Sequence, residues 1–344
     1  MDRITVGMKE CDWNYYHNGY LSLLASNLTF DDVALVPRVF SNIESRKDID
    51  LEQELCGWIT SDSLKIPIIA APMKDVCDKN VALIMDKIGG LGIIHRFMSI
   101  EKQVQAFRDN NWCGCAIGVN NDWHKRFKAL YDVGCRLFCI DVANGANIKV
   151  KKVIEKLATI KLDLIVGNVA SKECFDALKD LPNVKAIRVG IAGGMACTTK
   201  NATGIGYGMI SSIQECAADK GNTILIADGG IREPSDMCKA IAAGANCVMM
   251  GSNIANTVDS PAEILERDGI LYKVYHGSAS FDVQILYRDN PKYIEGTTKL
   301  LKYSNENLVE LIDRFTDGLK SSMSYFNAKN ITEFHNNSSF ATRR

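Results

Sequence analysis

A cysteine followed at once by two threonines, inside a run of glycines, can do covalent chemistry. Residues 187–207, IRVGIAGGMACTTKNATGIGY, begin as an apolar run and empty into a turn with glycines at 190, 193, 194, 204 and 206. Glycine admits backbone angles closed to other residues, so amides and carbonyls of such a turn can approach a ligand or an ion. Cys197 is held up by this turn, the kind of glycine-rich setting in which an exposed cysteine can serve as a nucleophile. Thr198 and Thr199 add hydroxyls that can pass protons, and Cys197 is a candidate nucleophile. The competing reading is a small buried hydrophobe, the usual fate of a free cysteine. That is the expectation for Cys56, Cys135, Cys139, Cys216 and Cys247 among the 12 cysteines.

A loop of this kind needs a scaffold, and the chain supplies a rhythm of apolar runs. They occupy residues 66–71, 91–95, 115–119, 137–141, 162–167, 186–190, 223–228 and 247–251, evenly spaced except for a longer gap after the sixth, where the Cys197 loop lies. Segments of helical character separate them, at 78–87, 100–110, 148–158, 209–220 and 235–243. Eight β-α units with continuous apolar strands predict an α/β protein with a closed (β/α)8 TIM barrel; a doubly wound open sheet is the competing architecture. The expected organisation is a single barrel domain over residues 1–344. It has an N-terminal extension (1–65) lying over the barrel, a mobile lid after strand eight (270–300), a closing helix over 307–322, and a polar tail (327–344) that frays.

In a barrel the chemistry gathers just after the strands. Those positions hold Pro72 and Met73, His95 and Arg96, Asn120, Asp141 with Asn144, Asn168, the Cys197 loop, Asp228 with Gly229 and Gly230, and Gly251 with Ser252. Strands seven and eight end in ADGG and MMGS, the place where barrels bind phosphate through backbone amides and a helix start. An ordinary tight turn is the alternative for either.

Length and charge narrow the partners. A chain of 344 residues can bury a large core, and a net charge of -1 predicts neither nucleic acid nor a membrane surface. No apolar leader opens the sequence and no apolar stretch is long enough to span a bilayer. Many cysteines without a leader suggest free thiols in a reducing cytoplasm.

Several stretches resemble the inosine monophosphate dehydrogenase and guanosine monophosphate reductase family: LTFDDVALVP (28–37), GGLGIIHRFMSIE (89–101), GNVAS (167–171), CTTKNATGIGY (197–207), IADGGIREPSDMCKAIAAGANCVMMGS (226–252) and EG (295–296). The resemblance implies a barrel that binds a purine 5'-monophosphate, with Cys197 attacking C2 of the base. It further implies that Asp228 holds the ribose hydroxyls, that Gly229, Gly230, Gly251, Ser252 and Tyr275 hold the phosphate, and that Met73, Asn168 and Gly277 lie against the nucleotide. Thr199 and Glu295 match the pair that moves protons at the leaving group. Asp141, Ala143, Asn144 and Gly145, within CIDVANG, match the cofactor side. The backbone of Gly194 and Cys197 matches a monovalent cation site, with K+ as the candidate ion, and the family suggests a homotetramer.

Within the family the reductase branch is expected, working with NADPH. About 19 residues separate His95 from Cys115, so no regulatory domain is inserted there. The lid has Tyr287 then Arg288, the reverse of the Arg-Tyr pair with which dehydrogenases activate water. The alternatives are the dehydrogenase reaction with NAD, a flavin-dependent barrel, and a purine-nucleotide-binding barrel without catalysis. Departures from the family pattern are Ala192 for a glycine, Met195 for a serine, Ser278 for a methionine, Lys74 for an aspartate and Thr297 for a lysine.

Overall fold

A computed structural model describes residues 27–55, 57–110, 112–120, 122–286, 291 and 293–342. Eight parallel strands close on themselves: β1 (Ile68–Ala70), β2 (Leu91–Ile94), β3 (Gly114–Ile117), β4 (Leu137–Asp141), β5 (Asp163–Val169), β6 (Val184–Val189), β7 (Ile224–Asp228) and β8 (Cys247–Met250). β8 pairs back onto β1, Val248 opposite Ile68 and Met250 opposite Ala70, so the sheet has no edge. The apolar runs read from the sequence are these strands. β1, β2, β3, β4 and β8 are buried from end to end, as expected where helices cover the outside and side chains fill the inside. Each fully buried Val, Ile, Leu or Phe contributes about 1.5–3 kcal/mol of burial free energy.

Local chemistry sets where the covering helices begin. Asp78 accepts the amides of Asn80 and Val81 ahead of the helix Lys79–Lys87, and Ser99, Asn147 and Ser171 cap the helices after β2, β4 and β5 in the same way. The helix Ile148–Leu157 shows the consequence: Val150, Val153, Ile154 and Leu157 face the sheet and are buried, while Ile148 lies outside that stripe and is exposed. Among the described residues no helix is long and apolar enough to cross a membrane.

Within the described part of the N-terminal extension, Gln53–Glu54 pairs with Ser63–Leu64 as a hairpin. Fully buried Asp163, the first residue of β5, holds it by accepting the Ile59 and Thr60 amides at 2.8 and 3.1 Å and the Thr60 hydroxyl at 2.8 Å. After β8, the two ends of the predicted lid are sheet rather than loop. Strands β9 (Ile264–Arg267), β10 (Ile270–His276) and β11 (Thr298–Lys302) pair antiparallel, which satisfies the backbone of a segment whose side chains look merely polar.

The predicted fraying of the tail is incorrect. Ile331–Asn337 forms a helix, and Phe340–Thr342 pairs antiparallel with Val33–Leu35, joining both described ends of the chain. Phe334 is completely buried against Phe326, with ring centroids 5.5 Å apart, and Ala328 is buried with it. The polar sequence NNSS concealed this, since only one residue in three or four has to face inward.

Two outcomes follow from the docked tail. Phe334→Ala leaves a cavity in a closed core and should cost about 3–5 kcal/mol, read as a large fall in the urea midpoint; a shift within experimental error would return the tail to the periphery. His335 donates from Nε2 to the Ala245 carbonyl at 2.9 Å, and burial pushes its pKa down to about 4 from 6.5. Between pH 6.5 and about 4 the unfolded chain binds a proton that the folded chain refuses. Stability therefore falls as pH drops through that window, and His335→Gln should flatten the slope in a pH series of denaturation midpoints.

Candidate active site

The C-terminal ends of the barrel strands, the Cys197 loop and the lid enclose a cavity of about 430 Å3. Of the residues singled out from the sequence, Met73, Asp141, Ala143, Asn168, Gly194, Cys197, Thr199, Asp228, Gly229, Gly230, Gly251, Ser252, Tyr275, Gly277 and Glu295 line it. Asn144 and Gly145 do not. Asn144 turns onto its own loop, accepting the Ala146 amide at 3.1 Å, and buried Gly145 donates its amide to the Asn168 carbonyl at 2.7 Å. Only Gly145 bonds to a strand end.

The loop after β6 carries a half-buried thiol into the cavity. Cys197 donates from Sγ to Thr199 Oγ1 at 3.2 Å, and Thr199 donates onward to Glu295 Oε2 at 3.0 Å. Thr199 has a single hydroxyl proton, so accepting from the thiol while donating to the carboxylate makes it a relay rather than a terminus. Glu295 reaches this position through the backbone. The Thr198 amide donates to the Glu295 carbonyl at 2.9 Å, Cys197 and Gly296 form an antiparallel bridge, and the Thr297 amide donates to the Ala196 carbonyl at 2.9 Å. A side chain on Gly277 would meet that same Ala196 carbonyl at 2.7 Å, so the start of the lid loop closes on the ladder only with glycine. The other nine described cysteines carry no such partners; Cys135, Cys139, Cys216 and Cys247 are buried as expected, and Cys56 lies outside the described residues.

On the opposite wall sits a charge cluster that the sequence reading overlooked. Arg188, in β6 and 7% exposed, lies between two carboxylates. It reaches Asp141 Oδ1 at 2.9 Å with one arm and Asp228 Oδ2 at 2.8–2.9 Å with the other two nitrogens. Burial opposes its charge, but Asp228, Cys139 and Asp141 outweigh burial and hold the guanidinium above its ordinary pKa. Asn168 donates from Nδ2 to Asp228 Oδ2 and to the Gly190 carbonyl, both at 2.8 Å. Arg96 faces the far side of Asp141 at 3.5 Å. The available signal was a charged residue inside the apolar run VKAIRV, since a buried strand keeps an arginine only when partners await it.

Another end of the cavity is assembled from three strands. Gly229 and Gly230 follow β7, Gly251 and Ser252 follow β8, and Tyr275 on β10 stands across from them, its hydroxyl 3.3 Å from Met73 sulfur. A side chain on Gly251 would strike the Tyr275 hydroxyl at 2.8 Å. The next residue, His276, fixes β10 against the loop after β1: its amide and Nδ1 lie 2.7 and 2.8 Å from Oδ2 of buried Asp75. Burial depresses the nearby His95 to about 4, so that ring is neutral and accepts the Phe97 amide at 3.1 Å. Tyr287 and Arg288 lie outside the described residues.

Comparison with known proteins shows the family. Residues 27–344 match the model of the IMP dehydrogenase / GMP reductase domain. An inosine-5'-monophosphate dehydrogenase of Cryptosporidium parvum is 30% identical, with 92% of each chain covered. One from Borreliella burgdorferi is 31% identical over 91% of this chain and 93% of its own. A GMP reductase of Clostridium acetobutylicum is likewise 31% identical, over 90% and 93%.

Thr199→Val keeps the shape of the side chain and removes the relay. Turnover should fall roughly 10²- to 10⁴-fold, the range for loss of a general acid-base path, with nucleotide affinity nearly unchanged. A steady-state rate within threefold of wild type would show that protons bypass Thr199.

Proposed function

Because the chain belongs to the IMP dehydrogenase / GMP reductase family, we propose that it is a reductase of that family, converting GMP to IMP and ammonia with NADPH through a covalent bond between Cys197 and purine C2. The observation that carries this reading is the continuous hydrogen-bonded path from Cys197 Sγ through Thr199 to Glu295. Run one way, the path takes the thiol proton as sulfur adds to C2. Run the other way, it delivers a proton to the departing amine, so one relay serves both steps. Catalysis of this kind needs no second base for water. Of the described lid residues facing the cavity, namely Gly277, Ser278, Ala279, Gln284, Tyr293, Glu295 and Gly296, none is an arginine.

The remaining residues bind and orient. The amides of Gly229, Gly230, Gly251 and Ser252 with Tyr275 would hold the phosphate, Asp228 the sugar, and Met73 with Asn168 the base. A nicotinamide cofactor would lie against the wall of Asp141, Val142 and Ala143 and, when bound, would supply hydride. A monovalent cation would use the carbonyls of Gly194 and Cys197. Ala192 adopts the left-handed φ of 66° that a glycine would take, so the substitution leaves the turn in place.

The second reading, oxidation of IMP with NAD, draws on dehydrogenase relatives as similar as the reductase. The two are separated by their products. With GMP, the purified protein should oxidise NADPH and release ammonia; with IMP and NAD it should form little xanthosine monophosphate. Robust xanthosine monophosphate formation without ammonia release from GMP would establish the dehydrogenase reading instead.

A further inference from the structure

Asp75 and His276 do not line the cavity, but His276 lies between Tyr275 and Gly277, which do. Asp75 is 3% exposed and sits in a turn where the Val76 and Cys77 amides donate to the Met73 carbonyl at 3.0 and 3.2 Å. Its Oδ2 accepts the His276 amide at 2.7 Å and lies 2.8 Å from His276 Nδ1. A carboxylate oxygen facing a ring nitrogen accepts from it, so Nδ1 carries the hydrogen. The other ring nitrogen, Nε2, lies 3.9 Å from Asp282 Oδ2, and that oxygen accepts the Thr298 hydroxyl at 2.5 Å. Thr298 is the residue opposite His276 in the pairing of β10 with β11. One imidazole thus gathers the turn after β1, the end of β10, the short helix Phe281–Gln284 and the start of β11.

The backbone carries this fixing to the proton relay. Next to His276, the Gly277 amide donates to the Thr297 carbonyl at 3.1 Å, the Thr297 amide donates to the Ala196 carbonyl at 2.9 Å, and Gly296 bridges Cys197. Upstream, β10 is held separately. Lys273, 2% exposed, donates from Nζ to the Ser260 carbonyl and hydroxyl at 3.2 Å and to the Ala262 carbonyl at 3.1 Å, and the Tyr275 hydroxyl keeps its contact with Met73 sulfur. Loss of the Asp75–His276 bond therefore frees the lid end of β10 and leaves the rest of the strand in place. We propose that Asp75 and His276 are positioning residues for catalysis: through the bond from Nδ1 to Asp75 they set where Glu295 meets Thr199, and they govern turnover rather than nucleotide affinity. The inference rests on the relay reading given above. A displacement of about 1 Å caused far from the reacting atoms can cost roughly 10²-fold in rate.

His276→Asn and His276→Leu test this. Asparagine brings an amide nitrogen close to the Nδ1 position and keeps the donor, whereas leucine fills similar space and leaves a buried carboxylate oxygen short of a partner. Turnover of GMP with NADPH and of IMP with NAD is measured beside calorimetric affinity for each nucleotide and amide exchange of peptides spanning 196–199 and 295–298. His276→Leu should lower kcat about 10²-fold with nucleotide affinity within about threefold of wild type, and should speed exchange of both peptides about tenfold. His276→Asn should return kcat to within about fivefold of wild type and restore the protection. A leucine variant with kcat within about threefold of wild type, an affinity loss as large as the kcat loss, or an asparagine variant no better than leucine would each overturn the inference and leave the proposed function standing. If the wild-type protein turns over neither nucleotide, the proposed function falls and exchange decides the inference: faster exchange in the leucine variant sustains it, and unchanged exchange overturns it. Where His276→Leu does not fold, Asp75→Asn combined with His276→Leu removes the buried carboxylate as well, and the same readings apply to it.

Discussion

A few backbone hydrogen bonds between the Cys197 loop and the returning arm of the lid hold the chemistry together. The Cys197–Gly296 bridge, the Thr198 amide on the Glu295 carbonyl and the Thr297 amide on the Ala196 carbonyl align two segments that neither flanking element would align alone. Main-chain bonds are well suited to this task because they fix position without using any reactive side chain. Cys197, Thr199 and Glu295 therefore remain free to bond to one another. The sheet of β9, β10 and β11 serves the same end, since it returns the chain to the barrel mouth in a defined register.

The opposite wall is organised by charge. A guanidinium in the barrel mouth is tolerated because two carboxylates surround it, and they in turn keep their positions because it lies between them. The result is a rigid pair of aspartates facing the cavity from β4 and β7, with Asn168 of β5 completing the set. Rigidity of this sort is what a binding site needs, since a group already held in place loses little freedom when a ligand arrives. It also fixes which lone pairs remain for a ligand.

The barrel supports both walls by leaving no alternative place for polar groups. Strand backbones are saturated by their neighbours around a closed sheet, and the strand interiors are apolar and buried. At the N-terminal end Asp163 spends its hydrogen bonds on the 53–64 hairpin, a structural use of a carboxylate. At the other end the carboxylates, amides and thiol are turned inward on the cavity. Conserving one end for closure and the other for chemistry is the division of labour this architecture permits.

Much of this was legible in the sequence, for a physical reason. Apolar runs of strand length, capped helices and a glycine-rich turn are local properties, and a chain that must bury both faces of a parallel sheet writes them at regular intervals. The eight strands, the Cys197 loop and most of the cavity-lining residues follow from that periodicity. Other features join residues far apart in the chain, and no local pattern encodes a pairing. Thr199 meets Glu295 across 96 positions, a pair that only the family resemblance had named, and Arg188 meets Asp141 across 47, so both contacts exist only once the barrel closes. The tail misled for the same reason: its composition reads as solvent-exposed, but Phe334 and Phe340 have a core to enter only because Val33–Leu35 is already there to pair with Phe340–Thr342.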